Sequence, residues 1–351
     1  MNSIEDRNNP WKDQRILITG VCGTVGRELL SQVVRRHPAE VIGLDNNESE
    51  LFFLSEEYRD NPNVHLYLGD VRDYNRLHHM MKDVNVVLHS AALKHVILCE
   101  KSPSDAVQTN ILGTQNVIMA ATANHVERVL FTSSDKAVNP TNVMGTSKLM
   151  GERLMTAANA YRRGNGPVFA STRFGNVLGS RGSVIPLFKR QIAQGGPVTL
   201  TDPRMTRFIM TLPQAVRLVM DSTFLARGGE VFVTKMPVVC ISDLASVMIQ
   251  ELAPRYGYAP DDIEVKVIGS KPGEKLYEEL MNDEETRRTV ELPSYFVVLP
   301  AFKSVYEDIE YCYPNMSDRQ IERPYNSAVE PSMAAAELRD YLLNNHLLEG
   351  E

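Results

Sequence analysis

The chain has 351 residues, of which 43% are hydrophobic and 23% charged, with a formal net charge of −7 and a pI near 5.7; that length and apolar content suit a folded enzyme with a large core and exclude a disordered chain. The negative balance argues against a general nucleic-acid binder while leaving small phosphorylated ligands open. Cys22, Cys99, Cys240 and Cys312 are scattered without metal or disulfide spacing, residues 1–14 are polar, and no uncharged run reaches the roughly 18 residues of a membrane span, so no metal, no membrane insertion and a reducing, cytoplasmic setting are expected.

From Arg15 to Arg173 short β-rich runs alternate with amphipathic stretches. Residues 16–18, 41–44, 64–68, 84–88, 129–131 and 168–170 predict strands. Val25, Leu29, Leu30, Val33 and Val34 share one helical face, and 105–124 and 146–163 predict further helices. The expected fold is α/β: a doubly wound parallel sheet of Rossmann type over residues 1–175, with later segments returning to it. After Arg173 the alternation decays into pieces punctuated by Gly and Pro, so 176–351 is expected to form mainly a smaller C-terminal substrate-binding lobe, ending in a helix over 333–348.

The first strand runs into Thr19-Gly20-Val21-Cys22-Gly23-Thr24-Val25-Gly26, a GxxGxxG turn opening a helix. There backbone amides approach a pyrophosphate at a helix N-terminus, so Gly20, Gly23, Thr24, Val25 and Gly26 are candidate dinucleotide ligands. Asp45, 19 residues beyond Gly26 at the end of the second strand, would accept hydrogen bonds from the adenine ribose and repel a 2′-phosphate, which favours NAD over NADP. Asp70 and Val71 would flank the adenine, and Ala91 and Ala92 in His89-Ser90-Ala91-Ala92 would pass beneath the dinucleotide.

Thr132-Ser133-Ser134-Asp135-Lys136, followed by Asn142 to Lys148, lays out a short-chain dehydrogenase active site with Met144 where a tyrosine is expected, four residues before Lys148. A thioether has no proton to give or take, so any hydride chemistry must recruit another acid or base, and the Asp135-Lys136 pair is the candidate.

With these motifs in order, the chain resembles the extended short-chain dehydrogenase/reductase superfamily. Within it, Ala91-Ala92-Leu93-Lys94-His95-Val96, Ser134 to Gly145, Arg173-Phe174-Gly175-Asn176-Val177-Leu178-Gly179-Ser180 and Pro272-Gly273-Glu274-Lys275-Leu276 are similar to the nucleotide-sugar 4,6-dehydratases of bacterial surface-glycan synthesis. Many large members carry membrane helices and methionine at the tyrosine position; this chain looks like the catalytic region alone. The resemblance implies action on UDP-N-acetylglucosamine, or a GDP-linked amino sugar, to give a 4-keto-6-deoxy product. By resemblance Lys136 is the C5 base and Asp135 the acid at C6, roles that require a lowered lysine pKa and a raised carboxyl pKa. Lys148 would hold the nicotinamide ribose, Ser134 would bond the C4 oxygen, and Met144 would pack beside the nicotinamide. Methionine-bearing members resemble the type that retains C5 configuration.

Asn176, Arg181, Arg207, Glu274 and Lys94 are candidate substrate contacts, the arginines because guanidinium forks match phosphate oxygens. Residues 231–237 are shorter and more basic than the family's acidic, glycine-containing turn, which leaves uridine and guanine both open. A homodimer or higher homo-oligomer is expected, built by pairing the helices at 105–124 and 146–163. Competing readings are a nucleotide-sugar 4-epimerase, which needs C4 chemistry alone, and a non-catalytic NAD-binding module.

Overall fold

The computed structural model describes residues 9–161, 166–180, 183–269, 273–302 and 309–349, and of residue 161 the backbone only. Six parallel strands form the body of the sheet: β1 (Arg15–Thr19), β2 (Glu40–Asp45), β3 (Val64–Leu68), β4 (Val86–His89), β5 (Arg128–Thr132) and β6 (Val168–Arg173). They lie in the order 3-2-1-4-5-6. Val231–Thr234 adds a seventh parallel strand beside β6, followed by Tyr295–Val298 and Thr289–Glu291 in antiparallel register, nine strands among the described residues.

Successive residues of β1 enter opposite cores. Ile16 and Ile18 pack with Leu29, Leu30 and Val216 on one face, whereas Leu17 packs with Val87, Val117, Val129 and Phe169 on the other. Because helices cover both faces, β4 and β6 are buried at every position, including the polar ends His89 and Ser171 to Arg173.

The lobe is built from segments after β6. Val238–Cys240, Thr206–Met210 and Asn176–Val177 form a three-stranded sheet. Its core joins Ile185, Phe188 and Ile192 of the helix Val184–Ala193 to Leu244 and Met248 of the helix Ile241–Leu252. The predicted C-terminal helix is shorter than expected, Ala335–Asn344.

Two helices depart from expectation in informative ways. The stretch predicted as one helix over 105–124 comprises the short Pro103–Ala106 turn, a π-helical segment Val107–Leu112 and the helix Gly113–Ala123. The π segment lets buried Asn110 leave the ladder: its carboxamide accepts from the Leu93 amide (2.8 Å) and donates to the Leu93 carbonyl (3.0 Å) and to Ser147 Oγ (2.8 Å). The helix predicted from 146 begins at Val143, capped by Asn142 accepting from the Gly145 amide (2.8 Å), and ends at Ala158.

Arg173, at the end of β6, is 1% exposed. Its guanidinium donates to both Glu152 oxygens (2.8 and 2.7 Å) from the helix Val143–Ala158 and to both Glu285 oxygens (2.8 Å each) from the short helix Asp283–Thr286. A further bond reaches the Leu280 carbonyl (3.2 Å). Arg173→Met should destabilise the protein by about 3–5 kcal/mol in urea unfolding, because it removes the guanidinium that two buried carboxylates share; a loss below about 1 kcal/mol would show that the triad bears little of the fold.

Candidate active site

The carboxyl ends of β1, β2 and β4 open onto a groove of about 670 Å³ lined by Gly20, Gly23, Asp45, Asp70, Val71, Arg72, Ala91 and Ala92, among others. This is where the strand order reverses between β1 and β4, the crevice that such sheets offer to ligands. Gly20 has φ of +72°, and a Cβ there would stand 2.7 Å from the Ala91 backbone; at Gly26 a Cβ would fall on the Gly20 carbonyl oxygen. Both glycines are required for the turn to close on the helix Thr24–Val34. That helix has no side-chain cap and no acid in its first turn, so its N-terminus is free for an anion. Thr24 and Val25 lie in this first turn and do not line the groove.

Asp45 accepts from the Cys22 amide (2.9 Å) and the Asn47 amide (3.0 Å), which aim its carboxylate along the rim. Asp70 binds Arg72 through two bonds (3.0 and 2.6 Å) and Asn46 (3.1 Å). Arg72, which lines the groove at its acidic rim, is therefore already committed to a carboxylate. Val71 is buried beneath the groove.

A second cavity of about 580 Å³ is lined by His95 to Leu98, Lys136, Asn142, Asn176, Arg207, Glu274 and Glu278, among others. Leu98 lines both cavities, so they adjoin. Asn176 also donates to the Phe208 carbonyl (3.4 Å). Thr141 and Asn142 donate to the Gly273 carbonyl (3.3 Å each) and Lys275 to the Val138 carbonyl (2.9 Å), which fastens the 273–278 segment over the turn Asp135–Ala137.

On that turn the charged groups are packed tightly. Buried Asp135 accepts from Ser134 Oγ, from the Lys136 amide (3.0 Å) and from Lys136 Nζ (3.1 and 3.2 Å). Lys136 Nζ also reaches Glu278 Oε1 (3.5 Å), and Arg207 Nε stands 3.5 Å from the same oxygen. Glu278 is held by its backbone: its amide donates to Ser327 Oγ (2.9 Å), and the Ser327 amide donates to its carbonyl (2.9 Å).

The protonation pattern differs from the one that the roles implied by the resemblance require. Burial alone would raise the Asp135 carboxyl, but the Lys136 cation and bonds from Ser134 and Glu278 outweigh it and hold the group below its usual range. Burial likewise opposes the Lys136 ammonium, yet Asp135 and Glu278 keep its pKa above the ordinary lysine value. The raised carboxyl belongs to Glu278, pushed up to about 7 by burial and by the Asp135 charge. The lowered lysine is Lys148, taken down to about 8 by burial. In this structure the expected pair is ammonium and carboxylate, not amine and acid.

Lys148 Nζ donates to the Thr132 carbonyl (2.9 Å) and sits 4.7 Å from the Phe131 ring centroid. Met144, 4% exposed, packs with Val96, Cys99 and Ala106. His89 is fully buried between Thr19 Oγ1 (2.7 Å) and Thr114 Oγ1 (3.1 Å), and burial pushes its pKa down to about 3, so it stays neutral.

Not every candidate contact converges. Lys94 is exposed and lines neither cavity, and Arg181 lies outside the described residues. Arg207 lines the second cavity, but its fork already donates to the carbonyls of Thr206 (2.8 Å), Leu276 (3.2 Å) and Lys275 (2.9 Å). Glu274, 3.9 Å from Arg207, faces the same cavity. Glu278 and the Arg173 triad were missed from the sequence; the signal for Glu278 is an acid doublet with Glu279, which reads as surface charge.

Residues 16–300 match the family model described as polysaccharide biosynthesis protein. The chain belongs to that family. A Methanocaldococcus jannaschii protein described as an uncharacterized membrane protein is 51% identical over 297 residues, 85% of this chain and 89% of its own. A Rickettsia bellii protein described as a UDP-glucose 4-epimerase is 40% identical, covering 81% of this chain and 82% of that one. A Campylobacter jejuni protein described as an inverting UDP-N-acetylglucosamine 4,6-dehydratase is 37% identical, covering 86% and 87%. The solved structure of Pen from Bacillus thuringiensis superposes with a TM-score of 0.89 at 43% identity, covering 97% of this chain and all of the other. Relatives in the polysaccharide biosynthesis family thus include enzymes described as nucleotide-sugar dehydratases and epimerases, and among the described residues no helix is long and apolar enough to cross a membrane.

In this polysaccharide biosynthesis protein Gly26→Ala must separate the helix Thr24–Val34 from the glycine turn, at an overpacking cost of about 1–3 kcal/mol. The melting temperature should fall by about 2–8 °C; an unchanged value would show that the turn accommodates the methyl group.

Proposed function

We propose that this protein is an NAD-dependent nucleotide-sugar 4,6-dehydratase acting on UDP-N-acetylglucosamine or its GDP counterpart to give the 4-keto-6-deoxy sugar nucleotide, for surface-glycan synthesis. The observation that carries this reading is the exchange of proton-transfer groups. The position of the expected tyrosine is filled by a buried methionine with no proton chemistry, while Lys136 lines the second cavity and is bonded to the buried Asp135 behind it. An epimerase needs acid-base chemistry at C4 alone; elimination across C5 and C6 needs two opposed proton transfers, hence two groups.

NAD suits the groove: the turn accepts no side chain at Gly20 or Gly26, the helix N-terminus is uncapped, and Asp45 lies where a 2′-phosphate would be repelled. The bound NAD would supply the hydride acceptor for C4 and the donor for C6, the C4 hydroxyl proton passing to Asp135 or a water and C5 regaining a proton from the Lys136 ammonium as the hydride reaches C6. Lys148 would supply positive potential to the ribose and nicotinamide from beneath, and Met144 would close the apolar side of the site. Asn176 and Glu274 are placed for the diphosphate and nucleotide ribose, with Arg207 contributing charge more than hydrogen bonds.

The charge state in the structure is the one in which the elimination ends. One proton must first pass from the Lys136 ammonium to the Asp135 carboxylate, giving amine and carboxylic acid. Substrate that expels water from the cavity favours this neutral pair, because desolvation penalises both charges. Lys136 then removes the C5 proton and returns to ammonium. Asp135 protonates the departing C6 oxygen and returns to carboxylate, and water leaves.

Mass spectrometry in heavy water tests the reading. Wild-type protein should convert UDP- or GDP-N-acetylglucosamine to a product that has lost one water and gained one deuterium at C5. Lys136→Met and Asp135→Asn should each reduce turnover by about 10²-fold or more while retaining NAD. A specific finding favours a second reading, the 40% identity to the Rickettsia bellii protein described as an epimerase; an isomerised sugar of unchanged mass would establish that reading instead. A homodimer is also proposed, because Leu112, Met119 and Met150 are exposed on the helical segments at 107–123 and 143–158.

A further inference from the structure

Asp135 and Lys136 of the cluster come from the motif around residues 134–148. Glu278 is delivered by the lobe, 142 residues away in sequence from the lysine it touches. Its carboxyl is buried between Lys136 Nζ and Arg207 Nε, each 3.5 Å from Oε1, and hydrogen-bonds to Asp135. Two carboxyl groups in contact, away from water, share a proton more readily than they bear two negative charges.

Resting on the dehydratase reading above, we propose that Glu278 is a positioning residue for the acid step, whose protonated carboxyl donates a hydrogen bond to Asp135 and stabilises the carboxylate that forms as Asp135 gives up its proton. No proton leaves Glu278 in this step. The Asp135 O–H bond breaks as the O–H bond to the C6 oxygen forms, the C6–O bond breaks, Lys136 takes the C5 proton, and the electron pair of that C–H bond becomes the C5–C6 double bond. Meanwhile the Glu278 hydroxyl remains directed at Asp135.

The charged groups around Glu278 account for its behaviour. Asp135 disfavours its ionisation, whereas Lys136 from the same turn and Arg207 from the strand Thr206–Met210 favour it, and burial tips the balance toward the acid. Glu274 stands near Arg207 (3.9 Å), and Lys275 is occupied by Glu279 (3.4 Å) and the Val138 carbonyl (2.9 Å). Loss of the Glu278 proton would set a second carboxylate against Asp135, raise the energy of the carboxylate that Asp135 must become, and slow elimination.

The consequence is a basic limb in the pH dependence of turnover: the rate falls as pH rises through about 7, where Glu278 ionises. Glu278→Gln keeps a donor and cannot ionise. Its kcat near pH 6 should lie within about fivefold of wild type, with the limb near 7 abolished, whereas Glu278→Ala, with no donor, should lose about tenfold or more. A Glu278→Gln profile that keeps the wild-type limb would overturn the proposal, as would a Glu278→Ala rate equal to that of Glu278→Gln.

Infrared difference spectra of protein with 13C-labelled glutamate carboxyls give a test independent of turnover. A protonated glutamate band present near pH 6 and gone near pH 8 is expected in wild type and absent from Glu278→Gln. A wild type without such a band overturns the proposal even if the variants fail to fold. A wild type that shows the band but forms no dehydrated product refutes the dehydratase reading, and with it the catalytic role, while leaving the shared proton established.

Discussion

The double carboxylate clamp on Arg173 is the constraint from which the site's geometry follows. A buried guanidinium is tolerable when its donors are met by opposite charge, and Glu152 and Glu285 meet it with two bonds each. The three residues come from β6, from the helix carrying Met144 and Lys148, and from the helix just after Glu278. One ion triad therefore fixes the lobe's contribution to the active site against the sheet's. Because Glu278 lies two residues before Leu280, whose carbonyl also binds Arg173, small shifts of the triad reach the proton-transfer cluster directly.

The two cavities divide the work by chemistry. The groove over the glycine turn is shaped by backbone: close packing at Gly20 and Gly26, a free helix N-terminus and amides aimed at Asp45. The adjoining cavity is shaped by side chains whose charges offset one another. Asp135, Lys136, Glu278 and Arg207 form a contiguous cluster in which the proton affinities of Asp135, Lys136 and Glu278 are set by their neighbours. Such a cluster exchanges a proton at little electrostatic cost, which suits a reaction that begins and ends with the same proton count.

Much of this was legible in the sequence. The inner parallel strands announce themselves through apolar segments because both faces of the sheet are covered there, while β3 at the edge is half exposed, and the glycine spacing marks the groove because no other residue fits two of its positions. What the sequence hid depends on distant partners. Asn110 distorts its helix to reach Leu93 and Ser147, 17 and 37 residues away, and no local pattern reports that. Glu278 looked like half of a surface acid doublet, and Arg173 like the last residue of a strand. The expected acid and amine were assigned to adjacent residues, whereas the structure places the raised carboxyl on Glu278 and the lowered lysine at Lys148. Adjacent opposite charges satisfy each other first, so the raised carboxyl is their buried neighbour Glu278, while Lys148 is lowered by its own burial.

The central claim is that oxidation at C4 and reduction at C6 belong to one catalytic cycle in one site. The most direct measurement follows a label: UDP-N-acetylglucosamine carrying deuterium at C4 is turned over by the purified protein, and the position of deuterium in the product is read by NMR. The account predicts deuterium at C6 of a 4-keto-6-deoxy sugar. Deuterium found back at C4 of an epimerised sugar, or a dehydrated product without deuterium at C6, would contradict it.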